Sequence, residues 1–172
     1  MNKLSSPQKV FLNLLTKNQA DAYAIVIGNM QNPGLHGVVN FYDTPFEGVL
    51  VECEVWGLPD NNSDMSPNAD KSLDIGNFYG MHIHENGNCS LPFDKTGDHY
   101  NPNGMLHPNH AGDMPPLLGN SGYAYSVFYT NRFRINGIVN RSVIIHRMPD
   151  DFTTQPSGNS GTKIACGIIR KH

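Results

Sequence analysis

The order of apolar and polar positions changes period once, near residue 20. Val10, Phe11, Leu14 and Leu15 make a narrow apolar stripe at helical spacing. Just before it, Ser5, Ser6, Pro7 and Gln8 offer an N-cap serine, a proline in the first turn and a Ser-x-x-Gln box. The pattern predicts a short helix within residues 1 to 18, its stripe packed on the rest of the chain. From Ala22 the period is two, the signature of half-buried strands. It predicts strands over 22–28, 35–42, 48–58 and 78–85, then 122–128, 132–135, 142–146 and 164–169. In the third of these, Val51, Cys53 and Val55 share a face, which reads Cys53 as a buried free thiol of the core.

The connections are unequal. Residues 59–77 are polar and rich in Asn, Asp, Ser and Pro, a long solvated loop with no assigned chemistry. Residues 86–121 exceed any passive connection, so something must hold them. Residues 152–161 form a second loop rich in Thr, Ser, Gly and Asn. There is no internal repeat and no linker, so the expected organisation is a helical extension, 1–20, and one body, 21–172. Many short strands with turns and long loops point to an antiparallel sandwich or Greek-key barrel. Composition agrees: 17 Gly, 12 Pro and only 16% charged residues favour turns over a helical bundle.

Charge narrows the partners. The net formal charge is −3 and no basic run occurs, which argues against nucleic acid. No apolar stretch approaches the roughly 20 residues of a membrane span. The longest apolar run near the N-terminus, Val10 to Leu12, is too short for a secretory core, so the expected location is cytoplasmic.

The candidate chemistry is concentrated. Five of the eight histidines lie between positions 82 and 110: His82, His84, His99, His107 and His110; Asp113 closes the series. Imidazole is the commonest metal ligand and suits zinc and copper. On a strand, His82 and His84 share one face while Met81 and Ile83 take the core face. The later histidines lie among Asn, Pro and Gly, on a loop able to fold round an ion. The arrangement predicts a metal site of more than one ion on a β scaffold. His36 has no such neighbour and reads as an ordinary surface histidine. Besides Cys53, Cys89 lies in the loop after the histidine pair and Cys166 in the last strand. Three cysteines allow three pairings, and a disulfide would be unusual in the cytosol.

Taken together, His82-Ile83-His84, the Cys89 loop, His99-Tyr100-Asn101-Pro102, His107, His110 to Asp113, Val143 to His146 and Gly158 to Gly167 resemble the copper/zinc superoxide dismutase family. The resemblance runs from about Ala22 to Ile169 in consistent order. It implies an all-β fold, a flattened eight-stranded antiparallel Greek-key barrel with two long active-site loops outside it. It implies copper on His82, His84, His99 and His146, and zinc on His99, His107, His110 and Asp113, so that His99 bridges the two ions. It further implies a Cys89–Cys166 disulfide and an Asp150 carboxylate that accepts hydrogen bonds from one copper and one zinc histidine. As a plain reading of residues, Asp150 also suits a turn cap after Pro149. The implied activity is superoxide dismutation, with His99 carrying a proton, and family members form dimers. The donor sets suit the ions: copper(II) favours tetragonal nitrogen ligation and zinc a tetrahedral closed set.

The sequence departs from the family pattern in two places. Lys163 stands where the family usually has an arginine that guides the anion; it keeps the charge and loses the planar fork of donors. Steering should be partly kept and anion positioning weakened. Both active-site loops are also short: two residues separate His107 from His110, and 151–162 holds neither lysine nor glutamate. The competing reading is a copper/zinc-binding module without turnover; the complete copper set favours the enzyme. A zinc hydrolase would need an open zinc position and a nearby base, and neither is evident.

Overall fold

The computed structural model describes residues 6–17, 19–60 and 76–172. Ser5 of the expected capping box and residues 61–75 of the polar loop lie outside them. The chain begins with helix α1 (Pro7–Leu15), whose N-cap Ser6 makes no side-chain cap bond. Its stripe does pack on the body. Leu14 is buried with Ala20, Tyr42 and Leu50, and Val10, Phe11 and Leu15 cover them. Phe11 stacks on Tyr129 at 5.5 Å between ring centroids.

The strands that follow are β1 (Ala22–Gly28), β2 (His36–Asp43), β3 (Val49–Trp56), β4 (Phe78–Tyr79), β5 (Met81–His84), β6 (Leu117–Leu118), β7 (Tyr123–Thr130), β8 (Ser142–His146) and β9 (Lys163–Lys171). Seven form one curled antiparallel sheet in the order β5-β8-β9-β1-β2-β3-β7. The other two, β4 and β6, pair with each other; β4 runs into β5 at one edge and β6 lies beside β7 at the other. This is the all-β barrel sandwich that the alternation predicted. Its interior is filled by the inward residues of every long strand, among them Val26, Val39, Phe41, Val51, Cys53, Met81, Ile83, Val143, Ile145 and Ile169. Cys53 is a buried free thiol, as expected.

The strand count is distributed differently from expectation. The predicted strand 78–85 breaks at Gly80, whose N–H donates to Met148 O and whose carbonyl accepts from His146 N, each at 2.8 Å. A side chain there would press on Ser160, with Oγ 3.0 Å from an added Cβ. The predicted strand 132–135 is not a strand. Its end belongs to a short helix, α2 (Ile135–Ile138), because one helical turn puts Ile135 and Ile138 on the same side, where both join the core. The short strand β6 gave no period-two signal, being two residues long. Among the described residues no helix is long and apolar enough to cross a membrane.

The long loop is held in two ways. Cys89 and Cys166 form a disulfide that ties it to β9, seated among Phe93 and Ile144. The outer edge of β5 does the rest. Tyr100 N donates to Ile83 O at 2.8 Å, Ile83 N to Gly112 O at 2.9 Å, and Glu85 N to Asp98 O at 3.0 Å. The edge strand thus completes its hydrogen bonding with the loop itself. Gly112 is required there, since an added Cβ would lie 2.3 Å from Ile83 O. The disulfide joins residues 77 positions apart, and closing so long a loop limits the unfolded chain by about 4 kcal/mol. Replacing both cysteines by serine is expected to lower the free energy of unfolding by up to that amount, measured by urea titration of the metal-free protein. A loss below about 1 kcal/mol would show that the loop is held without it.

Candidate metal centre

Alternation on β5 sends Met81 and Ile83 into the barrel and His82 and His84 to the outside, yet both histidines are buried, at 0% and 2% exposed. The loop docked on the strand edge covers them. That docking places His99 opposite His84 and Asp113 opposite His82, as isolated backbone bridges. His146 arrives at the end of β8, where the pairing with Lys163 at the start of β9 is shifted by a bulge. Two groups of side chains result, each with its ligand atoms within 4.8 Å of one another. One is His82, His84, His99 and His146; the other is His99, His107, His110 and Asp113. His99 belongs to both, and its ring stacks on His82 with centroids 3.9 Å apart.

Hydrogen bonds settle which nitrogens are free. An acceptor beside a ring nitrogen demands an N–H there and leaves the other nitrogen with its lone pair. The Nδ1–H of His84 donates to Gly97 O at 2.8 Å and that of His146 to Gly161 O at 3.2 Å. His82 and His107 each donate from Nε2 to Asp150, to Oδ2 and Oδ1 respectively, both at 2.8 Å. The opposite nitrogens all turn inward: His84 Nε2 and His146 Nε2 face each other at 3.3 Å. His82 Nδ1, His99 Nε2, His107 Nδ1 and His110 Nδ1 are buried without any hydrogen-bond partner. Buried nitrogens left unpaired are costly, and one cation in each group would satisfy them. In the second group Asp113 Oδ1 lies 2.8 Å from His99 Nδ1 and 3.4 Å from His110 Nδ1, and Oδ2 lies 3.2 Å from His107 Nδ1. The residues present therefore fit two ions, one held by nitrogen alone and one by three nitrogens and a carboxylate.

Asp150 spans both groups through His82 and His107 and also accepts the Phe152 N–H at 2.7 Å. It is at once the bridging acceptor and the turn cap. Burial works against its charge, but the hydrogen bonds from His82, Phe152 N and His107 prevail and hold the carboxyl at about 2. Burial also opposes the Asp113 charge, and the His99 contact outweighs it, so its pKa is lowered. Burial pushes the imidazoles the other way. His82 and His84 are lowered chiefly by it, and His146 falls to about 3 through burial and the neighbouring His82. These rings stay neutral, the form that binds a metal.

Several further residues shape the site, and of Gln155, Arg132, Gly158 and Thr96 only Gly158 was marked in the sequence, as part of the family resemblance. The Gln155 side chain exchanges two hydrogen bonds with the His107 backbone, at 3.0 and 2.7 Å, and ties the second loop to the first. Arg132 Nη1 donates to Pro108 O at 2.7 Å and to His110 O at 3.4 Å, bracing the two-residue spacer. Gly158, at φ +67°, passes so close to Asp150 that a Cβ would lie 2.1 Å from Oδ1. Thr96, fully buried, accepts a hydrogen bond from Lys163 Nζ at 2.8 Å. The remaining histidine of the strands, His36, is exposed and stacks on Trp56.

A cavity of about 370 Å³ opens over the centre. His84, His99, His146 and Lys163 line it, with His110 at its side and Glu85 and Asp98 also on its wall. His82, His107 and Asp113 lie outside that lining. Three of the four residues of the first group are thus reached from the cavity, and two of the four of the second.

Protonation of these rings has a definite consequence for stability. In the unfolded chain the histidines take a proton below about pH 6.5; in the fold His82, His84 and His146 resist it. The unfolded state then binds more protons, so stability is full above that pH and is lost as the pH falls toward the folded values, about 3 for His146. Each such ring contributes a slope of up to about 1.4 kcal/mol per pH unit in that window. Urea unfolding of the metal-free protein from pH 8 to 4 is expected to show this loss well above the carboxylate range. A flat profile down to pH 5 would contradict the neutral cluster.

Comparison with known proteins agrees with this geometry. A family model described as copper/zinc superoxide dismutase matches residues 35–169. The Superoxide dismutase [Cu-Zn] 2 of Aquifex aeolicus is 34% identical over 139 residues, covering 72% of this chain and 72% of its own length. The extracellular superoxide dismutase [Cu-Zn] of Drosophila melanogaster is 34% identical over 168 residues, 88% of this chain and 84% of that one. The superoxide dismutase [Cu-Zn] of Deinococcus radiodurans is 35% identical over 115 residues, which span 54% of this chain and 63% of the relative. Among solved structures, that titled clock protein EA4 superposes with a TM-score of 0.70 at 24% identity, covering 91% of this chain and 98% of that one, a likeness of fold. With the match extending over most of its length, the chain belongs to the copper/zinc superoxide dismutase family.

Proposed function

We propose that this chain is a superoxide dismutase, holding copper on His82, His84, His99 and His146 and zinc on His99, His107, His110 and Asp113. The observation that carries the reading is the convergence of four inward ring nitrogens beside a cavity that admits a small molecule. Four imidazoles suit copper(II), and the closed set with one carboxylate suits a structural zinc. The four-nitrogen cluster is the one suited to redox chemistry, and the other keeps His99 in place. The second cluster already offers four protein ligands, the full set of a tetrahedral zinc, which counts against a zinc hydrolase.

Copper held there would supply the one-electron redox chemistry that dismutation needs. The protein does the remainder. Lys163 places a positive charge on the cavity wall, where a small anion meets it. Its neighbours Glu85 and Asp98 oppose that field, so attraction depends on the lysine's proximity more than on net charge. His99 lines the cavity, and its Nε2 is buried without a hydrogen-bond partner among the described residues; this ring would carry a proton to the reduced anion. Asp150 keeps the His82 and His107 protons on Nε2 and so fixes the ligand orientation of both groups. Two superoxide ions and two protons become dioxygen and hydrogen peroxide.

A family member that only binds metal would share every one of these contacts, and turnover separates the two. Copper- and zinc-loaded protein is expected to consume superoxide, and His146→Ala to lose about a hundredfold or more of that rate while still binding zinc. Equal rates in the two proteins would support the metal-holding module instead.

A further inference from the structure

The lysine at position 163 raises a geometric problem that the structure answers. An arginine presents its donors in a rigid plane, whereas an ammonium turns freely and carries charge without direction. Here two of its three donors are committed. Lys163 Nζ donates to Thr96 Oγ1 at 2.8 Å and to Gly97 O at 3.3 Å. Thr96 is fully buried, in the 3-10 turn Asp94–Thr96. Its hydroxyl proton is spent on Phe93 O at 2.7 Å, which fixes its orientation and leaves its oxygen as an acceptor for the ammonium. The second acceptor, Gly97 O, also receives the His84 Nδ1–H at 2.8 Å. Lysine and ligand are therefore indexed to one carbonyl, and Lys163 stands on the wall of the cavity that His84, His99 and His146 also line.

We propose that Thr96 is a positioning residue: its buried hydroxyl holds the Lys163 ammonium so that one N–H is aimed at the anion in the cavity. The pair gives a lysine the direction that a guanidinium has by its shape. This rests on the reading of Lys163 as the residue that meets the anion. The hydroxyl matters only through Lys163, so its removal must have no effect once the lysine is gone.

The test compares Thr96→Val, which keeps the volume and loses the acceptor, with Thr96→Ser, which keeps it, each with and without Lys163→Met. Two readouts are used. The first is side-chain NMR of lysine-labelled, zinc-loaded protein, in which an anchored Lys163 shows two distinct ε-methylene proton signals. The second is the affinity of the copper- and zinc-loaded protein for azide, a small anion, followed by its optical spectrum. Thr96→Val is expected to merge the ε-methylene signals and weaken azide about tenfold, the scale of a hydrogen bond to a charged group. Thr96→Ser is expected to restore both, and Thr96→Val is expected to add nothing in the Lys163→Met background. Should Thr96→Val not fold, Thr96→Ala carries the same comparison. Distinct ε-methylene signals and unchanged azide affinity in Thr96→Val, while Lys163→Met still weakens azide, overturn the positioning role alone. An equal loss from Thr96→Val in the Lys163→Met background also overturns it. Unchanged azide affinity in Lys163→Met overturns the guiding role of the lysine and the proposal with it.

Discussion

The structure turns on neutral imidazoles whose outer nitrogens are all spoken for. Gly97 O, Gly161 O and Asp150 Oδ2 each take a ring proton, which leaves the remaining nitrogens of His84, His146 and His82 facing inward with lone pairs. Four of the buried ring nitrogens in the two groups have no hydrogen-bond partner among the described residues. Each such atom costs about 1–3 kcal/mol when left unsatisfied. A fold that assembles several in one place is arranged to hold a cation, and metal binding offsets that cost by coupling to folding.

Everything upstream serves this arrangement. The core needs Met81 and Ile83 inside the barrel, and the same alternation delivers His82 and His84 outside it. The free edge of β5 then binds the long loop through its own backbone, so that one ladder positions His99 and Asp113 against the strand histidines. The disulfide pins the start of that loop to β9, three residues after Lys163 begins the strand. Asp150 joins the second loop to both clusters, and Gln155 and Gly158 close the contact. The two ligand groups and the cavity wall are thus parts of one connected hydrogen-bonded frame rather than separate inserts.

Much of this was readable from residues. Period-two alternation located the long strands within two residues of their ends, and His82, His84 and Cys53 sat on the faces it assigned. The stripe of α1 packed where a helical stripe should, against Tyr42 and Leu50. The candidate site residues stood out because five of the eight histidines crowd between positions 82 and 110, and their order along the chain carried the family resemblance. The failures share a cause. Residues 132–135 have an apolar content that fits a strand or one helical turn, and only the core decides between them. Gly80 looked like part of a strand because a backbone break leaves no mark in polarity. Thr96, Arg132 and Gln155 act through backbone carbonyls and a single hydroxyl brought close by loop folding, which no spacing encodes. The Lys163 substitution was visible; the hydroxyl that gives it direction was not.

The central claim is that His99 is shared by two ions of different character. Anomalous diffraction from crystals of the copper- and zinc-loaded protein, collected on both sides of each metal's absorption edge, tests it most directly. The account predicts a copper peak among His82, His84, His99 and His146, a zinc peak among His99, His107, His110 and Asp113, and the His99 ring bonded to both. A single peak, or a His99 ring bonded to one ion only, would contradict it.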